Sequence, residues 1–293
     1  MLKLGEVEKR EEFKNMQLGI RLHDIEKGTL EHRLEVAQAQ GFKCGHMALT
    51  KVISEYSVDD SALTPGFAMY LKKIFAQNDL DIAVLGCYLN LANPNQESLK
   101  KITNRYLAHI RFASLLGTGV VGTETGAVNE QYATEEANWT DEALDIFIQN
   151  VRPVVEYAEK MGVILAIEPV CRHIVNTPAR ARKVLDTINS PNLQIIFDPV
   201  NLLDMWNYEQ REEIIAEAIE LLGKDVAMVH IKDFVIEGDK MISCAAGTGM
   251  MDYTQIVKFI KEQKPYVHVT LEDTKPENAV EARKFFQGLW DEA

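Results

Sequence analysis

The sequence predicts a single (β/α)8 barrel of the α/β class occupying residues 1–293. Two observations predict it. Short runs rich in Val, Ile and Leu alternate with amphipathic stretches of helical period along almost the whole chain, and such alternation implies a parallel sheet buried on both faces. Four of the apolar runs also end on an ionisable residue: VILAIE at Glu168, LQIIFD at Asp198, VAMVH at His230 and VHVTLE at Glu272, at intervals of 30, 32 and 42 residues. A closed barrel gathers successive strand ends around one mouth, whereas the competing open, doubly wound sheet would spread them along a line.

The elements follow in order. QLGIRL (17–22) is the first strand; Leu30, Leu34 and Ala37 mark a helix that Gly41 ends, and FKCGHMAL is the second strand. PGFAMYLKKIFAQN opens on Pro65 in its first turn and leads to DIAVLGCYL (81–89) as the third strand. ESLKKITNRYLAHIRFASLLG gives a helix ending at Gly117, VVGTE the fourth strand, and DEALDIFIQNVRPVVEYAEKMG a long helix kinked or restarted at Pro153 before the fifth. TPARARKVLDTIN, REEIIAEAIELLG and MDYTQIVKFIKEQ then alternate with the strands to Asp198, His230 and Glu272, and ENAVEARKFFQGLW closes the chain. The count is eight strands and eight helices.

Composition restricts the function. A chain of 293 residues with 46% hydrophobic content can bury one large core, and a formal charge of −13 disfavours nucleic acid and anionic membranes as partners. Lys and Arg are interspersed with acids, as in KREEFK, so no basic patch offsets that charge. No apolar stretch reaches the roughly 20 residues that span a bilayer, and MLKLGEVEKREEFK is too charged for a secretory signal. Cys44, Cys87, Cys171 and Cys244 form no CxxC pair, which predicts reduced thiols and a cytoplasmic enzyme without disulfides or a thiolate zinc site.

An ionisable group at the end of a buried strand is costly unless it is paired, hydrogen-bonded or bound to a cation. Any one of the four could be capped by loop backbone, but the repetition suggests one site. Three carboxylates and an imidazole make a hard, mostly oxygen donor set suited to one divalent ion, Mn²⁺, Mg²⁺ or Co²⁺, with Zn²⁺ also admissible. Such an ion polarises a carbonyl and eases loss of the neighbouring carbon-bound proton, which a carboxylate can accept. The chemistry indicated is enolisation of a hydroxy-carbonyl compound.

IEPV (167–170), FDPVNLL (197–203), HIKDF (230–234), AAGTGMMDY (245–253) and LED (271–273) together resemble the xylose isomerase-like TIM barrel superfamily, in particular its sugar phosphate isomerase/epimerase branch, over most of the chain. By resemblance to the ketose 3-epimerases of that branch, Glu168, Asp198, His230 and Glu272 become the metal ligands. Glu168 and Glu272 also become the catalytic acid/base pair. Two bases flanking an enediolate imply epimerisation; one base shuttling a proton between adjacent carbons implies aldose–ketose isomerisation. The epimerases commonly carry a substrate-binding histidine three residues after the metal aspartate, where this chain has Asn201, an amide that binds a hydroxyl but is no acid. The HxKD arrangement of His230, Lys232 and Asp233 also resembles inosose dehydratases, so an inosose dehydratase-like lyase is the alternative function.

Further candidates surround this set. Lys232 lies two residues after His230, so both face the barrel interior, where Lys232 could bind a substrate phosphate, stabilise an oxyanion or neutralise the carboxylates. His173, in an EPVxxH context, and then His23 are the histidines expected at the substrate; His46 lies near the second strand's mouth, and His32, His109 and His268 read as structural. Glu124, ending the fourth strand, fits a sugar contact, a partner of the ligands or a loop cap. AGTG (246–249) could bring backbone NH groups to a phosphate or only shape a loop. Asn90 and Asn93 divide between sugar recognition and turns, and Trp206 and Tyr208 between walling a pocket and packing a loop.

The expected partner is therefore a small sugar, polyol-derived ketone or sugar phosphate, with a homo-oligomer compatible with the composition. An apurinic-site endonuclease, also of this superfamily, needs a multinuclear zinc site with further histidines, and residues 233–252 hold none. A non-catalytic sugar-binding barrel would not need all four candidate ligands.

Overall fold

The computed structural model describes residues 16–293, so the expectations for the first fifteen lie outside the described residues. In chain order the strands are β1 (Gln17–Arg21), β2 (Cys44–Met47), β3 (Asp81–Gly86), β4 (Val120–Glu124), β5 (Ile164–Glu168), β6 (Leu193–Phe197), β7 (Val226–Ile231), β8 (Asp233–Glu237), β9 (Lys240–Cys244) and β10 (His268–Leu271). All but β8 and β9 pair in parallel and close into a barrel, in the order β1-β10-β7-β6-β5-β4-β3-β2. The predicted barrel forms, with its eight strands where the apolar runs lie.

The helices are α1 (Leu30–Ala39), α2 (Leu49–Val52), α3 (Pro65–Gln77), α4 (Gln96–Leu116), α5 (Asp141–Met161), α6 (Pro178–Ile188), α7 (Arg211–Leu222), α8 (Thr254–Gln263) and α9 (Ala279–Glu292). Thr29, Thr64, Asn95, Thr140 and Thr177 accept first-turn NH groups of five of them, satisfying donors that a helix cannot pair internally. Gly117 closes α4 at φ 78°. Pro153 lies within an unbroken α5, contrary to the expected restart.

Two apolar layers hold the barrel. Its interior is filled by Cys44, Ala83, Val84, Ala166, Ile196 and Met228, mostly modest side chains that suit a narrow bore. Gly19 is required there, because a Cβ would stand 2.1 Å from the Cys44 carbonyl oxygen. The larger outer layer packs the helices on the strands through residues such as Leu18, Leu34, Phe112, Phe147, Leu165 and Phe286. Each such side chain contributes roughly 1.5–3 kcal/mol on burial.

The departure from strict alternation is the antiparallel hairpin β8–β9 inserted after β7. Its return loop wraps a single buried carboxylate. Asp233 accepts from the backbone NH groups of Phe234, Gly247, Gly249 and Met251 at 2.8, 3.1, 2.9 and 2.9 Å. A Cβ at Gly249 would lie 2.1 Å from the Phe234 carbonyl oxygen. The AGTG amides therefore bind the chain's own aspartate, and the phosphate-cradle reading of that loop is withdrawn.

Other sequence ambiguities resolve locally. Asn90 donates to the carbonyls of Ala127 and Asn129 and accepts from the amides of Ala92 and Ala127, so it clamps two loops. Asn93 accepts from the Asn95 amide. Trp206 is 58% exposed and meets Trp139, while Tyr208 packs edge-on against Phe234. His109 is buried in α4 against the Arg105 carbonyl, and His32 and His268 lie at the periphery, each with Nε2 3.4 Å from a carboxylate oxygen, of Glu26 and Asp81 respectively. All four cysteines are free thiols, and among the described residues no helix is long and apolar enough to cross a membrane. A depression of about 920 Å³ at the amino-terminal end of the barrel, lined by Lys43, Asp79, Asp81 and His268, holds none of the predicted ligands.

Candidate metal centre

Parallel strands of one length finish together, so the residues at their carboxyl ends face one another across the mouth. Glu168 is the last residue of β5, Asp198 and Glu272 directly follow β6 and β10, and His230 is the penultimate residue of β7. All four are buried. Donor atoms of Glu168, Asp198 and His230 lie within 4.8 Å of one another, as do those of His46, His230 and Glu272. His230 joins the two groups, its Nδ1 3.5 Å from Glu168 Oε2 and 3.3 Å from Glu272 Oε1.

Neighbouring groups fix these side chains. Asn201 donates through Nδ2 to Glu168 Oε1 at 2.5 Å, and the amides of Val200 and Asn201 donate to Asp198 Oδ1 at 3.0 Å each. Lys232 Nζ stands 2.8 Å from Asp198 Oδ2 and 3.4 Å from Glu272 Oε2. Asn201 is thus engaged with a predicted ligand, and of the three roles open to Lys232 the geometry favours neutralisation.

The strands of the first half add groups that the sequence reading underrated. Arg21, ending β1, reaches Glu272 Oε2 at 3.3 Å while also pairing with Asp24 and Asp273 at 2.8 and 2.6 Å. His46 of β2 stacks on His230 with ring centroids 5.2 Å apart, and its Nδ1 lies 3.5 Å from Glu272 Oε1. Its Nε2 meets the Tyr88 hydroxyl at 3.1 Å. The one sequence signal for His46 was its place near a strand's mouth; Arg21 and Tyr88 gave none.

Glu124 and His173 lie together on the β4–β5 flank, with His173 Nδ1 3.8 Å from Glu124 Oε2 and the Tyr132 hydroxyl donating to the same oxygen at 3.1 Å. Tyr132 was not foreseen. His23 stands one layer out, edge-on to His46 at 6.1 Å, and makes no ion pair with the four predicted ligands.

The electrostatics are unequal across the mouth. Burial, reinforced by the charge of Glu272, pushes Glu168 up to about 8. Burial would also raise Glu272, but His230, Lys232, His46 and Arg21 outweigh it and hold this carboxyl well below its usual range. Burial raises Asp198 to about 6 against the pull of Lys232. Burial disfavours the Lys232 ammonium, yet Asp198, Glu272 and Glu168 keep its pKa above that of an ordinary lysine.

This donor set fits a divalent cation. His230 is fully buried, yet neither ring nitrogen makes a hydrogen bond, a costly condition that a Lewis acid would relieve. Glu168, Asp198 and Glu272 share the Lys232 ammonium and an Arg21 guanidinium that Asp24 and Asp273 also hold, so carboxylate oxygens are left for a cation to bind.

The family profile of xylose isomerase-like TIM barrels matches residues 34–289. The chain belongs to that family. Among solved structures, a D-tagatose 3-epimerase-like protein superposes with a TM-score of 0.73 at 20% identity, over 94% of this chain and 97% of that one. The 3-keto-D-glucoside 4-epimerase of E. coli gives 0.72 at 14% identity, over 94% and 100%. The IOLI protein with a bound zinc atom gives 0.72 at 19%, over 94% and 99%. At these identities the likeness is one of fold. No curated protein matches the chain.

Proposed function

We propose that the chain is a divalent-metal-dependent sugar isomerase or epimerase in which Glu168, Asp198, His230 and Glu272 hold the ion and Glu168 and Glu272 transfer the proton. The carrying observation is the convergence of two glutamates from separate strands on one buried, otherwise unbonded imidazole, at 3.5 and 3.3 Å. A bound divalent ion would supply polarisation of the substrate carbonyl and acidification of the neighbouring hydroxyl. Two carboxyls delivered by separate strands to one mouth suit an acid/base pair. In this reading one of Glu168 and Glu272 takes the proton from the carbon beside the carbonyl and the other returns one. Asn201 and Arg21 hold the two carboxyls in place, and Lys232 offsets their charge.

The test is incubation in D₂O of the protein loaded with Mn²⁺, Mg²⁺ or Co²⁺ with a panel of ketoses, polyol-derived ketones and their phosphates, followed by NMR. Deuterium should enter the carbon next to the carbonyl of at least one compound. Full exchange retained by Glu168→Gln or Glu272→Gln on that compound would remove the assigned proton-transfer roles. Loss of a hydroxyl from the product would place the chain among the lyases.

A further inference from the structure

We infer that Glu124, Tyr132 and His173 form a second recognition subsite beside the metal centre, which takes an uncharged, hydroxylated substrate tail and rejects a phosphate ester. The inference rests on the proposed sugar chemistry and narrows its substrate class to unphosphorylated polyhydroxy compounds.

Glu124 pairs in register with Glu168 across β4 and β5, so both carboxyls leave neighbouring strands on the same side. They differ in access. Glu168 is closed in by its neighbours, whereas the Glu124 side chain is 30% exposed. Its Oε2 is held by the Tyr132 hydroxyl and faces His173, whose ring meets Tyr132 edge-on at 5.0 Å. Its Oε1 makes no hydrogen bond among the described residues, and the buried Nδ1 of His173 makes none either. Tyr132 sits at φ 59°, a sparsely populated conformation for a side chain of its size, so the surrounding loop imposes this placement. A fixed acceptor oxygen beside an unsatisfied imidazole suits adjacent hydroxyls, which can both donate and accept.

A phosphate at this place would meet the Glu124 carboxylate, which lies outside the proposed ligand set of the ion. The cations near the mouth are committed elsewhere: Arg21 to Asp24, Glu272 and Asp273, Lys232 to Asp198 and Glu272, and Arg172 to Asp204. The loop amides that could have cradled a phosphate are bound by Asp233. Lys27, Lys51 and Lys275 are exposed, but they follow β1, β2 and β10, away from the β4–β5 flank.

Calorimetric titration of the Mg²⁺-loaded protein tests this, with ketopentoses and ketohexoses compared with their terminal phosphate esters and terminal deoxy analogues. The best neutral sugar should bind about tenfold or more tighter than its ester, because like charges juxtaposed in a site are strongly unfavourable. Removing its terminal hydroxyl should weaken wild-type binding about tenfold, the loss expected when a polar site is left unpaired. Glu124→Gln should narrow the discrimination against phosphate, and Tyr132→Phe should shrink the penalty for the missing hydroxyl. A merely structural role would weaken every ligand alike and leave both ratios intact. The subsite is overturned if the esters bind as well as or better than the neutral sugars, if no neutral sugar binds, or if both ratios survive in the variants. Deuterium exchange on a phosphate ester would overturn the subsite alone; selective neutral binding without exchange would overturn the proton-transfer reading alone.

Discussion

The two halves of the barrel bring different chemistry to the same mouth. Strands β5, β6, β7 and β10 end on Glu168, Asp198, His230 and Glu272, a donor set whose character is plain from residue type. Strands β1 to β4 end on or near Arg21, His46, Tyr88 and Glu124; Arg21 and His46 become meaningful through Glu272 of the other half, and Tyr88 through His46 in turn. In the proposed reading one half supplies the reactive groups and the other orients and tunes them. The difference teaches that a ligand's role can be intrinsic to its side chain, whereas an orienting role belongs to a pair.

The comparison breaks most readily at the proton-transfer pair. Glu272→Gln and Glu168→Gln should each lower turnover by about 10²–10⁴, the usual contribution of general acid–base catalysis, measured as initial rates on the compound identified by deuterium exchange. Equal losses from Arg21→Met would erase the proposed division between the halves. On the tuning side, His46→Gln and Tyr88→Phe should lower metal affinity by about 10- to 100-fold, as outer partners of ligands do, read by competition with a chromophoric chelator. If His46→Gln abolished metal binding outright, His46 would count among the ligands, as its membership of the second donor group allows. Asn201→Ala, which frees one oxygen of Glu168, should cost about tenfold in the same measurement.

A separate effect lies outside the mouth and concerns pH. His109 is buried in α4 and burial lowers its pKa from 6.5 to about 4. Between those values the unfolded chain binds the proton that the folded one refuses. Its contribution is therefore present above about 6.5 and is lost as pH falls toward 4. His109→Gln should flatten the acid limb of stability by about 3 kcal/mol in denaturant midpoints collected between these pH values. An unchanged limb would show that another buried group sets it.

Much of the fold was legible because it is written in local period. The eight barrel strands coincide with short apolar runs, and the capped helices begin where Thr, Asn or Pro precede an amphipathic stretch. The hairpin β8–β9 was missed although the Gly238-Asp239 turn between FVIE and KMIS is a local hairpin signal, because it interrupts the strict alternation of strand and helix. The AGTG segment left two readings open, and the structure takes the loop-shaping one. Glycines that could let a phosphate approach serve equally to let the chain approach its own carboxylate.

The sequence by itself determined the alternation of elements, the closed barrel, and the four strand ends that carry carboxylates and an imidazole, since strand period and residue type are properties of short segments. Tertiary structure alone decided that His46 stacks on His230, that Arg21 reaches Glu272, and that Tyr132 joins Glu124. The first of these contacts crosses the mouth between strands that do not pair, and Tyr132 reaches Glu124 only through a loop held at positive φ. Such meetings depend on closure of the whole sheet and on where each loop returns, which no local period encodes.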